Sequence, residues 1–208
     1  NYNGTVSSFR FDTTTGVLSQ GADTAMAPGT NAIELGVNDP VDTRAVFVTQ
    51  YGQVQPLALD RTTGTLTLGT AAATPGTAYG VASDPAGFFY SANYTGTTGQ
   101  GTVSQFSFAG GALTTLTPPT VTSGGLGTAF VALDKNKTWL YAVNNGNSTV
   151  QAYTRAAGAL VLNGAAVALP LSYGANCCVV DPARTFVYVG DSRGNIYSIP
   201  LTATGALG

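Results

Sequence analysis

The sequence predicts an all-β propeller of four-stranded antiparallel blades, on three observations. A motif of the form Gly-x-Val-x-x-Phe/Leu/Tyr recurs with Val6, Val54, Val103, Val150 and Ile196 in register, 48, 49, 47 and 46 residues apart. A period in the high forties is the length of one propeller blade. Each copy alternates apolar and polar residues with the period of a half-buried strand, and helical periodicity is absent along the chain. Each copy also carries the same two turn signals in the same order.

The motif itself marks the third strand of each blade: Thr5 to Phe11, Gln53 to Leu59, Thr102 to Phe108, Thr149 to Tyr153 and Asn195 to Ile199. A turn follows, reading DTTTGVL, DRTTGTL, AGGAL, RAAGAL and TATGAL. Its Gly supplies the positive φ that a short hairpin loop demands, and Leu re-enters the core two residues on. After a Thr/Ala/Gly/Pro segment comes a second hairpin: GVNDPVDTRAVFVTQ from Gly36, GVASDPAGFFYSANY from Gly80, FVALDKNKTWLYAVNN from Phe130 and CCVVDPARTFVYVGD from Cys177. Asp at its corner caps the turn, and a following Pro presets φ.

Taken together these hairpins give a single propeller over 1–208 with about four and a half blades. Complete blades fall at about 31–68, 78–116, 128–162 and 174–208, and an outer hairpin at 1–20 lacks its inner partner. An unpaired inner edge exposes a row of backbone donors and acceptors. The expectation is that the chain is a stretch of a longer propeller, with strands added by another chain as the alternative.

The residues FFYSANY (88–94), WLYAVNN (139–145) and FVYVGD (186–191), each followed by Gly-x-Val or its equivalent and then by the Thr-Gly-x-Leu turn, resemble the lactonase-type seven-bladed propellers. These are the 6-phosphogluconolactonase-like proteins and the repeats named for a Tyr-Val-Thr-Asn signature. The resemblance covers essentially the whole chain and implies seven blades. It also implies an activity drawn from sugar lactonases, cycloisomerase relatives or extracellular propellers without an assigned reaction, because its motifs specify blades rather than chemistry.

Composition narrows the chemistry further. Charged residues are 9% of the 208, against about 25% in an average domain. The eight basic residues lie singly along the chain, so no basic patch is present for nucleic acid or an anionic membrane. No apolar run is long enough to span a bilayer. With no His, neither a Ser-His-Asp triad nor imidazole acid–base catalysis is available. Glu34, the sole Glu, starts the first strand of its blade near the central channel, and is the candidate catalytic carboxylate; Tyr79, Ala129 and Asn176 are its equivalents in the other blades.

Further candidates for ligand binding are Asn31, Tyr79, Tyr94, Asn144, Asn145, Asn176, Asp191 and Arg193. Tyr94 belongs to the long loop NYTGTTGQG (93–101), and Asp191 and Arg193 in GDSRG are expected to form a surface ion pair. Most other Asp residues are expected at turn corners. The adjacent Cys177 and Cys178 point to opposite faces of an inner strand. They are expected as small core hydrophobes, with a vicinal disulfide as the alternative.

The uncharged Thr/Ser/Asn/Gly surface points to an extracellular or periplasmic protein. The leading expectation is a binding or assembly module without catalysis or cofactor, partnered by a glycan, a cell-envelope component, a protein or itself through open strand edges. The second is a lactone hydrolase using Glu34, Asn31, Asn176 and Asp191, with a divalent cation bound through oxygens as an option. A third is a fibre subunit assembled by strand exchange.

Overall fold

The computed structural model describes residues 4–26, 33, 35–38, 45–60, 62–170 and 173–208. Five antiparallel sheets follow one another, each a meander in chain order. A leading hairpin pairs β1 (Thr5–Phe11) with β2 (Leu18–Ala25). The first blade is β3 (Leu35–Asn38), β4 (Ala45–Gln50), β5 (Gln53–Leu59) and β6 (Leu66–Leu68), with β7 (Ala72–Ala73) also on β5. The second is β8 (Thr77–Ser83), β9 (Phe88–Tyr94), β10 (Gln100–Ala109) and β11 (Ala112–Leu126). The third is β12 (Thr128–Leu133), β13 (Trp139–Asn144), β14 (Thr149–Ala156) and β15 (Ala159–Leu162), with β16 (Val167–Ala168) also on β14. The fourth is β17 (Ala175–Val180), β18 (Phe186–Asp191) and β19 (Ile196–Pro200), beyond which a Leu201–Leu207 bridge closes the outer turn. No helix occurs among the described residues.

The predicted turns form as their residues dictate. Asp12 Oδ1 accepts from the amides of Thr14 and Thr15 at 2.8 and 3.1 Å, and Asp60 Oδ1 from Thr62 and Thr63 at 2.8 and 3.3 Å. Asp134 and Asp181 do the same at inner corners, accepting from Trp139 N at 2.6 Å and Phe186 N at 2.8 Å. Asp39 lies outside the described residues. Residues 117–126, read from sequence as connection, are instead strand: β11 follows β10 as far as Gln100 opposite Leu126.

In the first three blades the outer strand breaks or bulges midway, and a buried amide fills the gap. Gln55 Nε2 donates to Pro56 O and Gly69 O at 3.0 and 2.7 Å; Gln151 Nε2 donates to Ala152 O and Gly164 O at 2.8 and 3.0 Å. In the second blade Gln105 Nε2 donates to Pro118 O at 2.6 Å, while its Oε1 accepts from Leu160 N of the third blade at 2.8 Å. Carbonyls that would otherwise be buried without a donor are thereby satisfied.

Each sheet buries its flat side on the next. Phe47 of the first blade lies 4.3 Å from Phe89 and 5.0 Å from Phe108 of the second, centroid to centroid. Tyr90, Ala92 and Val103 meet Val131, Leu140 and Tyr153 of the third blade. Trp139, Tyr141 and Val150 meet Val187, Val189 and Ile199 of the fourth. Val6 and Met26 seat the leading hairpin on Val48, Leu57 and Leu66.

Polar latches secure these joints. Tyr90 Oη donates to Gly158 O at 2.5 Å and Tyr141 Oη to Gly205 O at 2.9 Å, each reaching the outer turn of the following blade. Burial pushes the Tyr90 phenol up to about 12 and raises Tyr141 as well. Arg155 bonds Asp84 across the second joint, donates to Tyr90 Oη at 2.7 Å and to Lys137 O, and lies over the Phe88 and Tyr90 rings. Arg184, at φ 62, ion-pairs with Asp134 at 2.8 Å and stacks 3.6 Å from the Trp139 centroid. These contacts offset the roughly 1–2 kcal/mol that a left-handed conformation costs a residue with a Cβ. Tyr141→Phe, which removes one neutral hydrogen bond and strands one carbonyl, is expected to cost about 1 kcal/mol in urea unfolding.

Candidate active site

The inner strands of three blades share one irregularity. Register shifts lie between Ala78 and Val81 on β8, between Thr128 and Phe130 on β12, and between Ala175 and Cys177 on β17. The residues inside these bulges include Tyr79, Ala129 and Asn176, the three positions that the repeat aligns with Glu34. A β-bulge re-aims the side chain it carries. All three line one cavity of about 510 Å³, together with Ile33, Tyr94, Phe130 and Asn145. Glu34 and Asn31 lie outside the described residues. Ile33, next to Glu34 in the chain, donates its amide to Thr49 O at 2.9 Å.

An aromatic wall and two amides furnish this cavity. The Tyr79 and Tyr94 rings lie 5.1 Å apart, tilted by 59°. Tyr94 ends β9, and Gly127 permits its close approach: at φ 58, a Cβ there would meet the Tyr94 ring at 3.0 Å and Gly96 O at 2.5 Å. Asn145 directly follows the equivalent strand of the third blade, its side-chain amide donating to Ala175 O at 3.4 Å. Asn176 is exposed and donates to Ser192 Oγ at 3.3 Å. Asn145 also borders a second cavity of about 550 Å³, which reaches Thr97, Ser148, Tyr173 and Ser192.

One residue earlier on each second strand, the side chain turns into its own blade. Asn144 is buried, accepts from Thr128 Oγ1 at 3.1 Å, and donates to Ser123 O and Thr149 Oγ1 at 2.9 and 3.0 Å. Its equivalent Asn93 donates to Thr102 Oγ1 and Ser104 Oγ, both at 2.9 Å. Asp191 accepts from Asn195 Nδ2 and from the amides of Asn195, Tyr173 and Arg193 at 2.9–3.2 Å. These bonds, the Asn195 side chain first, hold its carboxyl well below the usual carboxylate range. Period-two alternation thus divides adjacent candidates: Asn145 meets the cavity and Asn144 does not.

The expected Asp191–Arg193 ion pair is replaced by a different arrangement. Only the Arg193 backbone amide meets Asp191, at 2.9 Å, while the guanidinium lies over the Tyr173 ring, 3.9 Å from its centroid. Cys177 and Cys178 carry free thiols. Cys178 is buried in the joint between the third and fourth blades, where burial raises its thiol pKa. Cys177, exposed on the opposite face, lies against Gly190. Among the described residues no three Cys, Asp or Glu side chains cluster as a metal site would require.

Blades of this geometry, set around a mouth lined by successive inner strands, define a propeller with its candidate site on the axis. The family model for the lactonase seven-bladed β-propeller matches residues 45–192, and the chain belongs to that family. Among solved structures, a putative 6-phosphogluconolactonase from Bacteroides fragilis superposes with a TM-score of 0.78 at 16% identity, over 98% of this chain and 62% of that one. The periplasmic gluconolactonase of Pseudomonas aeruginosa gives 0.79 at 17%, over 98% and 62%, and a Lactobacillus plantarum protein 0.81 at 16%, over 99% and 64%. At such identities the likeness is one of fold. The chain spans less than two thirds of the length of each of these structures. No curated protein sequence matches it.

Proposed function

We propose that the protein hydrolyses a lactone, and that its substrate is an uncharged sugar lactone seated at the channel mouth. The observation that carries this reading is the convergence of bulge residues from three consecutive blades, Tyr79, Ala129 and Asn176, on one cavity beside the Tyr79–Tyr94 pair. The expectation of a binding module without chemistry gives way here, because family membership and lactonase-named neighbours favour the hydrolase.

The lining suits a neutral polyhydroxylated ring. An aromatic face packs on the apolar C–H face of a sugar, and amide groups meet its hydroxyls. None of the described residues lining the cavity is basic. Arg155 and Arg184 are held in the blade joints, Arg193 lies on Tyr173, and Arg10 donates to Thr62 O at 2.5 Å. A phosphate on the substrate has no cationic partner among these described residues. Hydrolysis adds water to the ring carbonyl carbon, breaks the carbon–oxygen bond of the ring, and passes the water's proton to the departing alkoxide. Glu34 is assigned as the base that draws a proton from water, and the Asn145 and Asn176 amides as donors to the developing oxyanion. The uncharged Thr/Asn/Gly surface supports a site of action outside the cytoplasm.

A pH-stat assay on gluconolactone tests the reading. The wild-type chain is expected to hydrolyse it, and to gain nothing from a 6-phosphate on the substrate. Tyr79→Ala is expected to raise KM roughly tenfold, as loss of an aromatic platform worth about 1.4 kcal/mol would, with kcat retained. Absence of hydrolysis above the spontaneous rate would refute the proposal.

A further inference from the structure

One copy of the repeat departs from its own motif beside the mouth. The residue two before the in-register Val or Ile is glycine in four copies, Gly4, Gly52, Gly101 and Gly194, and serine in the fifth, Ser148. Gly4, Gly52 and Gly194 have φ of 70, 72 and 85°, and Ser148 keeps the same left-handed turn at φ 50°. A Cβ is disfavoured in that conformation, so serine is the worse residue for the turn itself. Backbone strain of this kind collects at binding and catalytic sites. Ser148 lies on the second cavity and is 8% exposed. Its carbonyl accepts from Leu169 N at 2.9 Å, but its hydroxyl has no hydrogen-bond partner among the described residues.

The cavity of about 550 Å³ around this hydroxyl takes its walls from the second, third and fourth blades and shares Asn145 with the first cavity. The long loop 93–101 serves both, with Tyr94 in the first and Thr97 in the second. It crosses Gly146 so closely that a Cβ there would clash with Thr97 O. Asn147 Oδ1 accepts from Leu126 N at 3.0 Å and from Thr149 Oγ1 at 3.1 Å, which leaves its Nδ2 as the group it offers. Ser192 Oγ donates to Gly174 O at 3.0 Å and accepts from Asn176 of the first cavity at 3.3 Å. Tyr173 adds an aromatic surface steadied by the Arg193 guanidinium, 3.9 Å from its centroid. None of the described residues lining this second cavity is charged.

We infer that the second cavity is a subsite for a neutral glycosyl group, so that the substrate is a sugar lactone carrying a further sugar ring. The lactone ring occupies the first cavity, and the appended ring reaches past Asn145 to Ser148 and Tyr173. A sugar hydroxyl both donates and accepts, and a serine hydroxyl answers it in either sense; the C–H face of the ring suits Tyr173. The inference rests on the lactone hydrolysis proposed above. The bond between the two rings is not cleaved, and the second ring contributes binding alone.

Two gluconolactones bearing galactose, lactobionolactone on O4 and melibionolactone on O6, test this beside gluconolactone itself in the pH-stat. At least one of them is expected to exceed gluconolactone in kcat/KM roughly tenfold. Ser148→Gly restores the residue of the other four copies and so keeps the turn. It is expected to cut that advantage roughly fivefold, the worth of one neutral hydrogen bond, while the thermal midpoint stays level or rises. Tyr173→Ala is expected to cut the advantage as well. Equilibrium titration with methyl β-lactoside, methyl β-melibioside and methyl β-glucoside, none of them a lactone, reads the subsite without hydrolysis: a disaccharide is expected to bind more tightly than the glucoside, and Ser148→Gly to narrow the difference. Failure to hydrolyse gluconolactone with this binding preference intact overturns the proposed activity and upholds the subsite. Disaccharides neither hydrolysed faster than gluconolactone nor bound more tightly than the glucoside overturn the subsite. So does a preference that Ser148→Gly and Tyr173→Ala both leave unchanged.

Discussion

Arg155→Ala is expected to lower the free energy of unfolding by about 3–5 kcal/mol, the cost of breaking a buried ion pair and leaving its partner uncompensated. Both members are shielded, with side chains 7% and 3% exposed. The substitution removes more than one charge–charge contact. Asp84 keeps the Phe88 amide, at 3.0 Å, but loses its counter-ion, Tyr90 Oη loses a donor, Lys137 O is stranded, and the Phe88 and Tyr90 rings lose the guanidinium above them. Lysine is a poor replacement, because one ammonium cannot reproduce the planar fork or the stacking. Denaturant unfolding followed by tyrosine fluorescence measures the loss. An Arg155→Ala chain as stable as the wild type would mean that the second and third blades are held by their apolar faces alone.

Glu34→Gln is expected to reduce kcat on gluconolactone on the order of 100-fold while leaving KM close to its original value, as removal of a general base does. Its neighbour Ile33 lines the cavity, and the positions equivalent to it in three other blades do the same. Asp191 is a weaker candidate for this role, since hydrogen bonds hold its carboxyl far below the usual range and thereby lower its basicity. Initial rates over a range of substrate concentrations separate the two parameters. Equal hydrolysis by Glu34→Gln and wild type would remove Glu34 from the mechanism while leaving the substrate-binding role of Tyr79 to stand or fall by its own KM.

Much of this fold was legible in the sequence because its signals are local and repeated. The Val6–Ile196 register, the Gly of each outer turn and the inner-corner Asp84, Asp134 and Asp181 depend on residues within a few positions of one another, and they act as read. What escaped is what depends on a neighbouring blade. Asp84 and Asp134 were legible as turn caps, but their ion pairs with Arg155 and Arg184 close between sheets, over separations that no motif records. The solitary arginines therefore read as scattered charge. The cavity was legible in part: aligning the repeats gathered Tyr79, Ala129 and Asn176 with Glu34. Strict alternation gave no hint of the bulges that turn them to the mouth, nor could it separate Asn145 from its inward-facing neighbour Asn144 without the true register.

Those bulges bear on how the protein diversifies. In the second, third and fourth blades the rim of the mouth is written by one supernumerary residue of the inner strand, inserted where the pleat is interrupted, so its identity is decoupled from the packing on either side. Tyrosine, alanine and asparagine occupy this place in successive blades without any change in the sheet around them. Ligand preference can therefore drift one blade at a time, like separate tumblers in a lock, while the barrel of the lock stays rigid.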